Sequence, residues 1–199
     1  MKMKRNRQMR PKNKVVIIIC EGKTEEKYFK HFSSRKIRLH VKTTKERDPL
    51  NLIKQAQEYE KEIGASVKAG DSIWVVFDMD DEKRVGMAFN ISKRKKYNLI
   101  LSIPSFEFWI VLHLREWNED NRVTSKELDE EIKRNGIPDY FHGMDIYPKI
   151  YQHTDKAIER SEKILNKKKN ELNEEELYSD KANPLTFVHI LVKYLKEHP

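Results

Sequence analysis

Apolar positions along the chain fall into two patterns. Lys14–Cys20 (KVVIIIC) and residues 72–77 (SIWVVF) are unbroken runs rich in β-branched and aromatic residues. That is the pattern of strands buried on both faces of a parallel sheet. Ile37–Thr43 instead alternates Ile37, Leu39 and Val41 with basic and polar residues, which predicts a more exposed strand. Asn98–Ile103 predicts a fourth. Between the strands the period changes to that of helices. Gly22 breaks the first strand, and Thr24, with acids at 25 and 26, is placed to cap a helix running to about residue 33. Pro49 opens a second helix with Leu50, Ile53, Ala56, Tyr59 and Ile63 on one face and Gly64 near its end. A third is expected at 85–96, and an apolar one at 106–114 after Pro104.

This alternation predicts an α/β fold, a parallel sheet with right-handed crossovers flanked by helices. After Arg115 the character changes. Residues 116–145 are charged, with a short helix at Ser125–Arg134 and a loop of Gly, Pro and aromatic residues through Phe141. Residues 154–172 form a Lys- and Glu-rich helix. Asn183-Pro184 is expected to cap a last helix carrying Phe187, Val188, Leu191, Val192 and Leu195. The expected organisation is a tail at 1–14, an α/β domain at 15–115, and a mostly helical extension at 116–199 packed on the same domain.

Charge sharpens this division. The chain of 199 residues carries a formal net charge of +8, with 40 basic and 32 acidic residues. Seven of the basic residues (Lys2, Lys4, Arg5, Arg7, Arg10, Lys12, Lys14) lie in the first 14 positions, which hold no acid. Removing them leaves 33 basic against 32 acidic residues, so the body is nearly neutral and the basicity is a tail. Such a tail suits phosphate contacts, and equally a solvated arm. No apolar run approaches the ~18–20 residues of a membrane span, and Val15–Cys20 is too short for a secretory core. The single cysteine, Cys20, excludes an internal disulfide framework and fits a reducing cytosol.

The chemistry is expected at two strand ends. In parallel α/β sheets ligands bind at the carboxyl edge. There the first buried strand delivers Glu21 and the other delivers Asp78, Asp80 and Asp81. If the two strands are neighbours, four carboxylates crowd one rim, and like charges at short range oppose ionisation. A divalent cation resolves the conflict, and all-oxygen donors suit Mg²⁺ or Mn²⁺. Asp78 and Asp80 are two apart, so on extended backbone both point to one side. The alternative for Asp78–Asp81, Asp81 above all, is a cap for the following helix. Glu107, inside an apolar helix, needs either the cation or a basic partner. Lys23 is a candidate phosphate contact or a solvated loop residue. The run Lys93, Arg94, Lys95, Lys96 suits a nucleic-acid track, or simply the negative end of a helix dipole. His113 and His189 are expected to pack, and Asn183 to cap. Gly22-Lys23-Thr24 is no Walker A loop, because the first glycine would fall at Ile17 in mid-strand. Asp78-x-Asp80 also suggests a haloacid-dehalogenase-type phosphatase, but Asp81-Glu82 stands where that pattern wants a small residue.

Residues 15–110 resemble a Toprim-type domain. VIIICEGKTEEKYF (16–29), VVFDMDD (75–81) and PSFEFWIVLHL (104–114) resemble the RloB-like (AbiLii-like) family of Toprim proteins, and Asn183-Pro184-Leu185-Thr186 with His189 and Leu191 is similar to its C-terminal signature. The resemblance implies a Mg²⁺- or Mn²⁺-dependent nuclease acting on DNA or RNA in phage defence or restriction, often beside an ATPase. It implies Glu21 as general acid/base, Asp78 and Asp80 as metal ligands with Glu21 as a further candidate ligand, and Glu107 as an active-site carboxylate. A non-catalytic nucleic-acid-binding module working with a partner, or a phosphatase, are the alternatives.

Overall fold

The computed structural model of the chain describes residues 13–198. Of the basic tail, Lys2 to Lys12 lie outside the described residues, as does Pro199 at the other end. Five strands make one sheet in the order β2-β1-β3-β4-β5. They are β1 (Lys14–Cys20), β2 (Ile37–Thr43), β3 (Ser72–Asp78), β4 (Asn98–Ile103) and β5 (Leu185–Thr186). The first four are parallel. The position of each strand explains its composition. Central β1 is flanked on both sides, and Val16 to Cys20 are wholly buried. Edge strand β2 buries only Ile37 fully, in keeping with its alternating pattern.

Among the described residues there are nine α-helices: α1 (Lys23–Lys30), α2 (Pro49–Ile63), α3 (Glu82–Lys95), α4 (Glu107–Leu114), α5 (Ser125–Arg134), α6 (Tyr147–Ile150), α7 (Thr154–Glu171), α8 (Glu174–Leu177) and α9 (Val188–Glu197). Their ends are written locally. Asp48 accepts from the Leu50 and Asn51 amides ahead of Pro49, and Gly64 closes α2 at φ +68. Asp81 caps α3 through the Arg84 amide. Thr124 and Glu127 form a capping box on α5. Helices α2 and α3 pack on each other and on β1, β3 and β4, while α7 lies against α4 and β5, and α9 against β4. Tyr28 and Phe29 of α1 meet Phe106 edge-on at 5.6 and 6.1 Å, joining α1 to the start of α4. No described helix is long and apolar enough to cross a membrane.

The expected α/β fold with a parallel sheet is found in β1–β4, with one strand added, and two expected helix caps are corrected. Thr24 is not a cap: Gly22 holds the N-cap position of α1, and the Thr24 hydroxyl accepts from the Gly143 amide at 2.7 Å. The sheet is not wholly parallel, because β5 runs antiparallel to β4. Two residues cannot display a period, so β5 left no trace in the pattern. Asn183 is not the cap of the last helix either. Its buried amide accepts from Val123 N and donates to Val123 O, both at 3.0 Å, and α9 begins only at Val188.

Candidate active-site cleft

The parallel pairing of β1 with β3 runs to Cys20 opposite Val76, and the Glu21 amide extends it by donating to Val76 O at 3.1 Å. Glu21 and Asp78 therefore leave neighbouring strands at the same edge. Glu21 Oε2 accepts from the Asp78 amide at 3.1 Å, and Asp78 Oδ1 accepts from the Phe106 amide, just before α4, at 2.9 Å. These two bonds stitch together the carboxyl ends of β1, β3 and β4. The chain turns after Asp78, where Met79 N donates to Ser102 O, and brings the exposed Asp80 to the same opening. A cleft of about 540 Å³ results, lined among others by Glu21, Glu25, Asp78, Asp80, Glu107 and Arg47.

Glu25 is the carboxylate that sequence reasoning missed. In the sequence it reads merely as an acid beside the expected Thr24 cap, yet it is only 5% exposed. The signal was available, since positions 25, 28, 29 and 32 share one face of α1 and the other three are aromatic. Gly22 makes room for it: a Cβ there would lie 2.4 Å from Glu25 Oε2. Burial raises Glu21 from 4.5 to about 7, with Asp80 adding to the rise and the Asp78 amide and Arg47 opposing it. Glu25 rises to about 7 by burial, reinforced by Glu107 and Glu21. Asp78 is pushed well above its usual range by burial, then by Glu25, Glu107 and Glu21. The rim thus holds more negative charge than its protein neighbours balance.

Glu107 is the exception, because it has partners. Its Oε1 accepts from the Tyr140 hydroxyl at 2.7 Å and lies 3.1 Å from His142 Nδ1. The other ring nitrogen, Nε2, is 3.0 Å from Asp129 Oδ2. Burial would raise Glu107, but its contacts with His142 and Tyr140 override it and hold the carboxyl below its ordinary value. The Glu107 bond in turn lifts His142 to about 9, against a smaller opposing effect of burial. At neutral pH His142 is an imidazolium donating to a carboxylate on each side. Among the described residues, Glu107, Asp129 and His142 are the trio whose ligand-type atoms lie within 4.8 Å of one another. Glu21, Asp78 and Asp80 are set more openly around the cleft.

The remaining candidates divide. Lys23 is exposed on the cleft wall in the first turn of α1. Asp81 is occupied as the cap of α3 and does not line the cleft. Lys93, Arg94, Lys95 and Lys96 end α3, which starts at the carboxylate edge and returns to the opposite edge where β4 begins. Fourteen helical residues span about 21 Å, so this run is remote from the cleft, and Lys93 pairs with Glu174. His113 and His189 pack: burial lowers both to about 4, and their Nδ1 atoms bond Trp109 O and Ser161 Oγ.

A family model described as RloB-like protein matches residues 16–195. No curated protein matches the chain.

Proposed function

The chain belongs to the RloB-like protein family, and from that premise we propose that it is a Toprim-type, divalent-cation-dependent nuclease, cleaving DNA or RNA in phage defence. The observation that carries the proposal is the convergence of Glu21, Glu25, Asp78, Asp80 and Glu107 on one cleft at the carboxyl edge of the sheet. The donor set fits Mg²⁺ or Mn²⁺. Every donor is a carboxylate oxygen, and burial first, then neighbouring carboxylates, push Glu21 and Asp78 up, so their ionised forms lack a stabilising partner that a divalent cation would supply. Asp78 and Asp80 would hold the ion, with Glu21 beside them.

When bound, the ion supplies Lewis-acid stabilisation of phosphoryl charge and acidifies a water molecule. The chain's own residues supply positioning and proton handling. Glu21, anchored through Oε2 on the Asp78 amide, has Oε1 for the proton of the attacking nucleophile. Arg47, Lys23 and His142 bring positive charge to the cleft walls, where phosphate oxygens would lie. Glu107 and Asp129 hold the His142 ring between them.

The test is a panel of plasmid DNA, total tRNA and p-nitrophenyl phosphate incubated with the purified chain in Mg²⁺, Mn²⁺ or EDTA. Cation-dependent cutting of a polynucleotide without phosphate release from the monoester is the expected outcome. Monoester hydrolysis alone would make the protein a phosphatase. Polynucleotide binding with no cleavage in any cation would make it a non-catalytic module.

A further inference from the structure

A second surface, outside the carboxylate cleft, is built from aromatic rings. The loop after α5 leaves the cleft at His142 and runs along α1. Gly143 N donates to Thr24 Oγ1, Lys27 Nζ donates to Gly143 O at 2.6 Å, and Asp145 Oδ1 meets His31 Nε2 at 2.9 Å. At the far end of α1 three rings are layered. His31 and Tyr147 lie 4.6 Å apart and within 8° of parallel, and Tyr147 and Tyr151 lie 5.7 Å apart and within 19°. Beside them is a cavity of about 470 Å³ lined by His31, Phe32, Tyr147, Tyr151, Leu195 and Lys196.

Three further observations say what this surface would meet. The two large aromatic side chains most open to solvent among the described residues, Phe141 at 60% and Tyr151 at 48%, both belong to this segment. Phe141 lies beside His142 at the cleft, and Tyr151 ends the ring stack. Lys23, Lys27 and Lys30 are all exposed and follow the i, i+4, i+7 spacing that puts them on one face of α1. That stripe leads from the cleft wall to the ring stack. Within the stripe Lys27 Nζ donates to Gly143 O and Lys30 pairs with Glu26 at 2.7 Å, so a phosphate would compete with those partners, while the nearby acids Asp145 and Asp155 face His31 and Lys196. A lysine stripe beside layered rings is the chemistry that binds a single strand, with phosphates on the ammonium groups and unpaired bases on the rings. A duplex keeps its base faces internal and cannot use the rings.

We infer that α1 and the segment from Phe141 to Tyr151 form a track for single-stranded nucleic acid, with a base stacking on the outer face of Tyr151, the exposed last ring of the His31–Tyr147–Tyr151 stack. The inference rests on the nuclease reading of the cleft for its purpose, and adds the substrate form. Lys23 and Lys30 are seven residues apart, about 10 Å along the helix. At ~3.4 Å per stacked nucleotide, the lysine stripe is long enough to follow about three nucleotides.

The experiment is fluorescence anisotropy with a fluorescein-labelled poly-dA strand of about a dozen nucleotides, and the same strand annealed to its complement. Wild type, Tyr151→Ala and Tyr151→Phe are titrated in EDTA, and cleavage of the same probes is scored separately in Mg²⁺. Tyr151 is exposed and its hydroxyl has no partner among the described residues, so both variants are expected to fold. The track predicts preference for the single strand, about tenfold weaker binding for Tyr151→Ala, and near wild-type binding for Tyr151→Phe. Equal affinity of wild type and Tyr151→Ala for the single strand would overturn it, whether or not cleavage occurs. Tyr151-dependent binding would sustain the track even where these probes go uncut, and absence of cleavage across the plasmid and tRNA panel as well would remove the nuclease reading separately.

Discussion

Replacing Glu25 by Gln tests the charge excess of the cleft without touching the residues assigned to the cation. Glu25 is almost wholly buried, and its pKa rises from 4.5 to about 7. Its folded value lies above its unfolded value, so the unfolded chain gives up the proton first as pH rises. Stability is therefore fully present below about pH 4.5, falls between there and about 7, and is flat above. At ~1.36 kcal/mol per unit, an ionised Glu25 costs the fold about 3 kcal/mol at pH 8. Most of this cost is desolvation, and a buried glutamine amide bears part of it too, so the expected gain from Glu25→Gln is about 2 kcal/mol, or ~4–8 °C in melting temperature for a chain of this size. The glutamine keeps the volume and can still accept from the Gly22 amide. Thermal unfolding in EDTA should show this gain at pH 8 and almost none at pH 4, and added Mg²⁺ should narrow it. Equal melting temperatures at pH 8, or the same gain at pH 4, would refute the reasoning.

Three other outcomes follow from the same contacts. The His142 ring, followed by NMR, should titrate near pH 9, and Glu107→Gln should lower that value by at least about one unit, since the Glu107 bond is the largest contribution to the rise. Its stabilising pairing is present below 6.5 and lost as pH climbs through 9, so a ring titrating near 6.5 in the wild type would remove the ion pair. Asn183→Ala strands the buried Val123 amide and carbonyl, and should cost about 2–3 kcal/mol in urea unfolding; a loss near zero would mean that Asn183 clamps nothing. Cys20 is wholly buried, and burial pushes its thiol well up, so a disulfide reagent should label it only after unfolding. Rapid labelling of the native protein would contradict the buried position of β1.

The α/β core was legible because its strands and helices are long enough to show their periods. Lys14–Cys20 reads as doubly covered, and β1 is central; Ile37–Thr43 reads as half exposed, and β2 is the edge. What escaped was whatever depends on partners distant in sequence. Asn183 looks like a cap until its amide is seen to clamp Val123, sixty residues away. Separation in sequence also hid Tyr140 and His142, which sit in an unpatterned loop and reach Glu107 only in the folded chain. Glu21, Asp78 and Asp80 were visible at the ends of apolar runs. Glu25 was obscured by a second sufficient explanation, since an acid in a first helical turn is favoured anyway. Lys93 to Lys96 show the converse: a basic run conspicuous in sequence ends at the wrong edge of the sheet to serve the cleft.

The most direct test of the cleft is single-turnover cleavage by Asp80→Ala against wild type, on whichever polynucleotide the wild type cuts, in matched Mg²⁺ and EDTA. Asp80 is exposed and carries no structural bond through its side chain among the described residues, so melting should be unchanged. Loss of a cation ligand should slow cleavage by about a hundredfold or more, with wild type inactive in EDTA. Cleavage by Asp80→Ala at the wild-type rate, or by wild type without a divalent cation, would contradict the account.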